Sequence, residues 1–242
     1  MGVVFPSDSD QDIPFEFERK FFVRELPPEV RQHGSSTVIV QAYVFAEAGY
    51  AIRVRVAFHG LEANTQWPQF DEATGYMGAY ERAVLAKLLD ELEHAKLTNG
   101  AAGSDGGDGD VSVRMACTIA VKSPPVSSER YELEVELDPD VAVQILRRSE
   151  RLVLKTRYSI WYGEDGWEFD VFEGKNRGLI IAECERLGPV VDLDVPDFCA
   201  TELTGDLRFT NDYLSKEPWS QWDSQYKAEL AARGPYFLNL HS

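Results

Sequence analysis

The chain has 242 residues, and 44% of them are hydrophobic, which is enough for a folded domain with a buried core. Acidic residues outnumber Lys and Arg by 41 to 24, giving a formal net charge of −17. A surface this acidic repels nucleic acid and anionic membranes, so neither is expected as a partner.

Eight runs rich in Val, Ile, Tyr and Phe follow one another along the chain and predict β-strands. They span residues 15–24, 36–45, 50–58, 111–122, 130–137, 152–162, 166–174 and 179–187. Hairpin-like links such as GEDG join neighbouring runs. The pattern predicts a mainly β protein of the α+β class, in which eight antiparallel strands close into a barrel.

Helices are predicted between and after these strands. An apolar stripe at helical spacing marks residues 79–97, and Asp138 followed by Pro139 is typical of a helix start. From about residue 206 onward the pattern predicts two short helices, broken at Pro218. The Gly- and Asp-rich residues 99–110 predict a solvated loop, because they lack the ligand spacing of an EF-hand.

Cysteine content and the N-terminus bear on location. Cys117, Cys184 and Cys199 are an odd number without CxxC spacing, which suits a reducing compartment. The N-terminus has no basic segment typical of a signal peptide, and no run reaches the roughly 20 apolar residues needed to span a bilayer. These features predict a cytoplasmic protein, and they leave a monomer and a homodimer open.

Charged residues alternate with apolar ones within most of the predicted strands. In FEFERK, residues 15–20, such spacing places Glu16, Glu18 and Lys20 on one face of a strand. The acids that share this pattern are Glu16, Glu18, Glu132, Glu134, Glu136, Glu168, Asp170, Glu183 and Glu185. The bases that share it are Lys20, Arg53, Arg55, Lys122, Arg130, Lys155 and Arg157.

Two interpretations fit this alternation. In an ordinary antiparallel sheet the charges face water and the aliphatic residues face a core. In a closed barrel the same charges line the interior, where each unpaired ion would cost several kcal/mol. A divalent cation on the carboxylates and a polyphosphate on the bases would balance both sets, so the sequence favours a magnesium–polyphosphate ligand.

Other catalytic patterns are missing from the sequence. It contains neither GxGxxG nor GxxxxGK, so no Rossmann or P-loop site is supported, and it contains no GxSxG elbow. The four histidines are scattered, without the spacing of a zinc enzyme.

The Glu-x-Glu-x-Lys sequence at 16–20 resembles the hallmark of the triphosphate tunnel metalloenzymes, also called the CYTH superfamily. The chain is similar to the bacterial branch of small tripolyphosphatase-like proteins. Further motifs follow in family order: RVRV (53–56), RYELEVEL (130–137), LKTRY (154–158), WEFDVFEG (167–174), GLIIAECE (178–185) and TGDLRFTNDYL (204–214).

The resemblance implies an eight-stranded barrel that forms a tunnel, with one or two Mg²⁺ or Mn²⁺ ions and a bound triphosphate. The implied metal ligands are Glu16, Glu18, Glu134, Asp170, Glu183 and Glu185. The implied substrate-binding residues are Lys20, Arg53, Arg55, Lys122, Arg130, Lys155 and Arg157, and Lys20 and Arg157 are the expected leaving-group stabilisers. Glu132 and Glu168 are expected in the tunnel wall, and Arg208 or Lys216 is a candidate for a late basic contact.

The resemblance implies that residues 1–242 form one domain. The chain departs from the family pattern at an insertion of about residues 57–110. It implies metal-dependent hydrolysis of inorganic tripolyphosphate or of a small organic triphosphate. Two alternatives stay open: a class IV adenylate cyclase that forms cyclic AMP from ATP, and a non-catalytic module that binds polyphosphate or a nucleotide.

Overall fold

The computed structural model describes residues 15–61, 68, 78–101, 113–124, 129–186, 188 and 190–239; within these ranges the side chains of 15, 16, 95–101, 129 and 130 are not described. The predicted Gly- and Asp-rich loop, residues 99–110, therefore lies almost entirely outside the described residues. None of the described helices has the length and apolar character needed to cross a membrane.

A single antiparallel sheet dominates the fold, so the predicted mainly β, α+β class is confirmed. Its strands are β1 (Phe15–Val23), β2 (Ser35–Glu47), β3 (Tyr50–His59), β4 (Arg114–Lys122), β5 (Glu129–Glu136), β6 (Leu152–Tyr162), β7 (Asp165–Phe172), β8 (Ile180–Arg186) and β9 (Cys199–Glu202). The predicted count of eight was wrong, because β9 has only four residues and pairs with the end of β1.

The strands follow the order β5-β4-β3-β2-β6-β7-β8-β1-β9. Strand β1 also pairs with β5 at the far end of this order, over three residue pairs from Phe15↔Tyr131 to Phe17↔Glu129. The closed barrel itself stays a prediction.

In the described part of the chain, five α-helices accompany the sheet: α1 (Pro28–His33), α2 (Ala79–Ala101), α3 (Pro139–Arg148), α4 (Asn211–Lys216) and α5 (Asp223–Arg233). Helix α1, a six-residue segment, was not predicted. Helix α3 begins as predicted, because the Asp138 carboxylate accepts a hydrogen bond from the Val141 amide at 3.1 Å and Pro139 occupies the first turn.

Helices α2 and α3 cover one part of the sheet. The apolar stripe of α2, which includes Val84, Leu85 and Leu88, packs in a common buried core with residues of β2, β3 and β6. These strand residues, such as Val40 and Val54, are fully buried. The helix within the predicted insertion is therefore part of the protein core.

The C-terminal part of the chain packs in a second core, rich in aromatic rings. We call this the C-terminal cluster; its residues include Phe22, Tyr43, Ala51, Val153, Phe172, Ile181, Phe209, Trp219 and Tyr226. The rings meet edge to face, as in the 4.8 Å contact between the centroids of Phe209 and Tyr226. Helices α4 and α5 are thereby fixed against β1, β6, β7 and β8.

Gly174 opens the turn between β7 and β8 and should not tolerate a side chain. Its φ is +63°, and an added Cβ would lie 2.6 Å from Oε1 of the buried Glu81. We expect Gly174→Ala to lower the free energy of unfolding by about 2–3 kcal/mol, through backbone strain and overpacking. The measurement is urea denaturation.

Gly178 supplies the matched control, because its φ is +88° and an added Cβ meets nothing within 4 Å. Gly178→Ala should therefore lower the free energy of unfolding by only about 1 kcal/mol, from backbone strain alone. Equal losses at the two positions would contradict the steric argument.

Candidate functional site

The strand register places the charged residues of β1, β6, β7 and β8 on one face of the sheet. Lys20 lies opposite Glu183, and Glu18 lies opposite Glu185. Glu183 also lies opposite Glu168 on β7, and Arg157 lies opposite Asp170. Because directly paired residues of antiparallel strands project to the same side, these side chains share one surface.

The same surface continues across β2, β3, β4 and β5. Arg55 pairs with Gln41 on one side and with Thr118 on the other. Strand β5 adds Glu132 opposite Lys122. We call the whole surface the charged face; its ion-paired members are Glu18, Lys20, Arg53, Arg55, Lys122, Glu132, Glu134, Lys155, Arg157, Glu168, Asp170 and Glu183, and the register also places Glu136 and Glu185 on it.

Acids and bases of the charged face are paired with each other. Lys20 Nζ lies 2.9 Å from a Glu18 carboxylate oxygen and 2.7 Å from a Glu183 oxygen. Arg157 donates to Asp170 at 2.7 and 2.8 Å and to Glu183 at 2.8 Å. Glu183 thus links the two bases that were predicted to stabilise the leaving group.

Two further pairings complete this part of the surface. Arg157 also forms an ion pair with Glu168, and Lys155 forms one with Asp170. The side chains of Lys155 and Asp170 are each only 1% exposed. Asp170 is therefore enclosed between two bases.

A second group of pairs lies on β3, β4 and β5. Arg53 donates to Glu132 at 3.0 Å and also bonds to Glu134, and Lys122 forms an ion pair with Glu132. The described ion pairs of the charged face thus join six bases with six acids.

Several pKa values move as a result of this packing. Burial alone would lower the pKa of Lys20, but the carboxylates of Glu18 and Glu183 outweigh burial and raise that pKa above its usual value. Burial would raise the pKa of Glu183, but Lys20 and Arg157 hold it well below its usual range. Both side chains are therefore charged at neutral pH.

The bases are not equally well compensated. Burial and the neighbouring charge of Arg157 lower the pKa of Lys155 to about 8. Burial and the charges of Arg53 and Arg157 lower the pKa of Arg55 to about 10. The nearest described carboxylate oxygen to Arg55 belongs to Glu134, at 3.9 Å. Arg55 therefore lies among like charges without a close carboxylate partner in the described part of the chain.

The backbone of Lys20 is held by Leu203 and Thr204, at the start of the TGDLRFTNDYL motif. The Leu203 amide donates to the Lys20 carbonyl at 2.8 Å, and the Lys20 amide donates to the Thr204 hydroxyl at 3.0 Å. On the opposite face, Arg19 donates to the buried Glu202 carboxylate at 2.9 and 2.7 Å. These contacts join residues about 180 positions apart and leave no local signal in the sequence.

Other predicted residues fall outside this network. The side chains of Glu16 and Arg130 lie outside the described residues, although their backbones pair between β1 and β5. Glu185 is exposed. Arg208 bonds to Asp206 and Glu229, and Lys216 donates to the Ala46 carbonyl, so neither candidate for a late basic contact joins the charged face.

Neutral polar residues of the charged face were missed. Gln41 is fully buried, and Thr118 is partly buried beside Arg55. A lone amide and a lone hydroxyl in apolar strands carry no charge pattern, so only the strand register could have identified them.

A separate groove of about 740 Å³ lies between α3 and the end of β2. Val44, Val141 and Ile145 provide apolar walls, and Arg148 and Arg151 lie at its margin. None of the predicted metal or phosphate residues lines this groove, so its size does not make it the site predicted from the sequence. Among the residues with described side chains, no three His, Cys, Asp or Glu are arranged as a ready metal site.

Comparison with known proteins identifies the family. No family model matches the chain. A curated relative from Acetivibrio thermocellus, named an inorganic triphosphatase, is 33% identical over 106 residues, which are 43% of this chain and 68% of the relative. The chain belongs to the triphosphate tunnel metalloenzymes, the CYTH superfamily. This membership confirms the resemblance that began with Glu-x-Glu-x-Lys.

Solved structures also resemble this CYTH chain. The crystal structure of the inorganic triphosphatase NE1496 is 20% identical, with a TM-score of 0.46, and the match covers 83% of this chain and 93% of that one. A putative adenylyl cyclase from Hippeastrum, described as having a dominant triphosphatase activity, is 12% identical with a TM-score of 0.34, over 91% and 87% of the two chains.

Proposed function

We propose that this protein hydrolyses inorganic triphosphate, or a small organic triphosphate, with the help of a divalent cation. The observation that carries the proposal is the charged face, where six bases and six acids lie together in a protein of the triphosphate tunnel family. Pure anion binding would need the bases alone, whereas the acids are oxygen ligands of the kind that Mg²⁺ and Mn²⁺ prefer. Both sets together match a metal–triphosphate complex.

We further propose that the first eight strands enclose this surface as a tunnel. The pairing of β1 with β5 supports closure, because it joins strands that otherwise lie seven places apart in the sheet order. The C-terminal cluster supports a closed end, since Phe22, Val153 and Ile181 continue the strand positions of Lys20, Lys155 and Glu183. A triphosphate would then enter from the opposite end.

The bases are the proposed triphosphate ligands. Arg55 is the strongest candidate, because it has no close carboxylate partner in the described residues. The other proposed ligands on the charged face are Arg53, Lys122, Lys155, Lys20 and Arg157, and Arg130 joins them by register alone. Lys20 and Arg157 would offset the charge of the leaving diphosphate, since phosphoryl transfer depends mainly on position and electrostatics.

The acids divide into two proposed roles. Glu18, Glu183 and Glu185 lie on neighbouring strands and, with Glu16, would hold the cation; their carboxylate oxygens fit Mg²⁺ or Mn²⁺ chemically. When bound, such a cation polarises a phosphoryl oxygen and activates water. Asp170, which was predicted as a ligand, is enclosed by Lys155 and Arg157, so we assign it to orienting these bases. Glu134 bonds to Arg53 and is assigned likewise.

The test is an assay of product release. Tripolyphosphate, thiamine triphosphate and ATP are each incubated with Mg²⁺, with Mn²⁺ and with chelator, while phosphate, diphosphate and cyclic AMP are measured. We expect metal-dependent phosphate release from at least one substrate, and loss of about 100-fold or more in Glu18→Gln, which keeps the shape but removes the charge.

Glu29→Gln is the matched control, because Glu29 is exposed on α1, away from the charged face. It should retain full activity. Release of cyclic AMP and diphosphate from ATP would instead identify the protein as a cyclase. Binding of tripolyphosphate without turnover would support the non-catalytic module and contradict the proposal.

A further inference from the structure

One row of side chains crosses three neighbouring strands of the charged face. Gln41 on β2 lies opposite Arg55 on β3, and Arg55 lies opposite Thr118 on β4. Each contributes a buried polar atom without a hydrogen-bond partner among the described residues: Gln41 Oε1, Arg55 Nε and Thr118 Oγ1. The adjacent Arg53 Nε is also unpartnered in this part of the chain.

This group of unpartnered buried polar atoms indicates a binding site for a ligand. Buried polar groups in folded proteins are nearly always hydrogen-bonded, because burial removes the water that would otherwise satisfy them. Four unpartnered atoms on adjoining positions, while the acids and other bases around them are paired, indicate a polar group that the protein alone does not supply. Three of the four atoms can donate a hydrogen bond, so the missing group is rich in acceptors.

The row lies where the charged face meets the C-terminal cluster. Gln41 pairs with Val153 on its other side, and Val153 is a fully buried member of that cluster. The next inward-facing residue of β2, Tyr43, belongs to the same cluster. Buried side chains lie beyond the row, namely Tyr43 and the ion pair of Arg53 with Glu132, so a group attached to a phosphate held at the row has no open surface there.

We propose that Gln41, Arg55 and Thr118 form a subsite for the terminal, non-esterified phosphoryl group of the triphosphate, an inference that rests on the proposed function. A terminal phosphoryl group has three non-bridging oxygens, against two on a middle one. Arg55 Nε, Thr118 Oγ1 and the second hydrogen of Gln41 Nε2 supply three donors. Gln41 Oε1 accepts from a protonated phosphate oxygen or a bridging water.

The subsite fixes the orientation of the substrate. A triphosphate with one free end enters with that end first, and any organic group stays on the side away from the C-terminal cluster. A triphosphate that is esterified at both ends cannot occupy the row. Gln41 and Thr118 act as specificity-determining residues, and Arg55 supplies the charge.

The test compares Thr118→Val with Thr118→Ser, which keeps the hydroxyl. Loss of a hydrogen bond to a charged group corresponds to about 10- to 100-fold, so we expect KM for tripolyphosphate to rise by that factor in Thr118→Val and by less than about 3-fold in Thr118→Ser. The value of kcat should change much less than KM. Gln41→Met should likewise raise KM for tripolyphosphate while changing kcat much less.

Thr156→Val is the control, because Thr156 pairs with Val38 on the other face of the sheet and receives the same chemical change. A Thr118→Val protein that behaves like Thr156→Val overturns the subsite. Binding of tripolyphosphate is measured by calorimetry beside hydrolysis. A wild-type protein that binds without hydrolysis contradicts the proposed function, and its affinity change in Thr118→Val still decides the subsite. Absence of all binding overturns both.

A second measurement uses the unaltered protein and so does not depend on folding of the variants. ATP, with one free end, should compete with tripolyphosphate for binding, and P1,P3-diadenosine triphosphate, esterified at both ends, should compete at least about 10-fold more weakly. Equal competition by the two compounds overturns the proposed orientation.

Discussion

Replacing Arg157 by alanine is expected to abolish triphosphate hydrolysis and to destabilise the protein at the same time. Arg157 is the one described side chain that contacts Asp170, Glu168 and Glu183 together. Removal of a positioned arginine from a phosphoryl-transfer site costs about 1,000-fold in rate. It also leaves the fully buried Asp170 with Lys155 as its remaining described base, which costs about 3 kcal/mol of the free energy of unfolding.

Arg157→Lys separates the two effects. A lysine restores the positive charge but lacks the planar guanidinium fork with which Arg157 contacts three carboxylates, so stability should recover more than turnover does. Arg147→Ala is the control, because Arg147 is exposed on α3; it should change the free energy of unfolding by less than about 0.5 kcal/mol and leave turnover unchanged. Full activity in Arg157→Ala would remove Arg157 from the site. The measurements are tripolyphosphate turnover and urea denaturation.

The divalent cation and the triphosphate are expected to bind cooperatively. In the absence of both, the acids and bases of the charged face neutralise each other, as the 2.7 Å pair of Lys20 with Glu183 illustrates. A triphosphate alone would draw bases away from their carboxylates and leave buried negative charges unpaired. A cation alone would leave buried bases unpaired. Each ligand therefore removes the cost that the other one creates.

We expect saturating Mg²⁺ to tighten tripolyphosphate binding by about 10-fold or more, which corresponds to about 1.4 kcal/mol of coupling, and the reverse coupling must be equal. Calorimetry measures both, after titrations without protein account for complexes that form in solution. Glu183→Gln removes a carboxylate that joins Lys20 to Arg157, so the coupling should shrink in this variant. Equal Mg²⁺ affinity with and without tripolyphosphate would contradict the self-neutralised arrangement.

The sequence predicted which side chains share a surface because strand periodicity is strict. Charges at every second position must project to the same side once a strand forms, so the alternation alone identified them. Strand β9 escaped notice because four residues, CATE, show no periodicity. Helix α1 escaped because its six residues bury only Val30.

The partners of each charge could not be predicted in the same way. Counting acids and bases in the sequence suggested that all of them bind a metal ion or a phosphate. In the structure they form ion pairs with one another. Which carboxylate meets which base depends on register and on the rotamers of long side chains, and neither is encoded locally. The pairing of Asp170 with Lys155 and Arg157 is an example, since Asp170 was predicted as a metal ligand and the two bases as triphosphate ligands.

The buried pair of Arg19 with Glu202 bears on how inactive variants of this protein are interpreted. Both residues lie outside the charged face, and Glu202 also accepts from Thr204 and from the Leu238 amide. A substitution at either position leaves the charge of the other residue buried and unpaired, and it removes a contact that holds the strand carrying Lys20. A map of tolerated substitutions would therefore show an intolerant position at Arg19, between Glu18 and Lys20, and inactivity of variants there would report on folding rather than on chemistry.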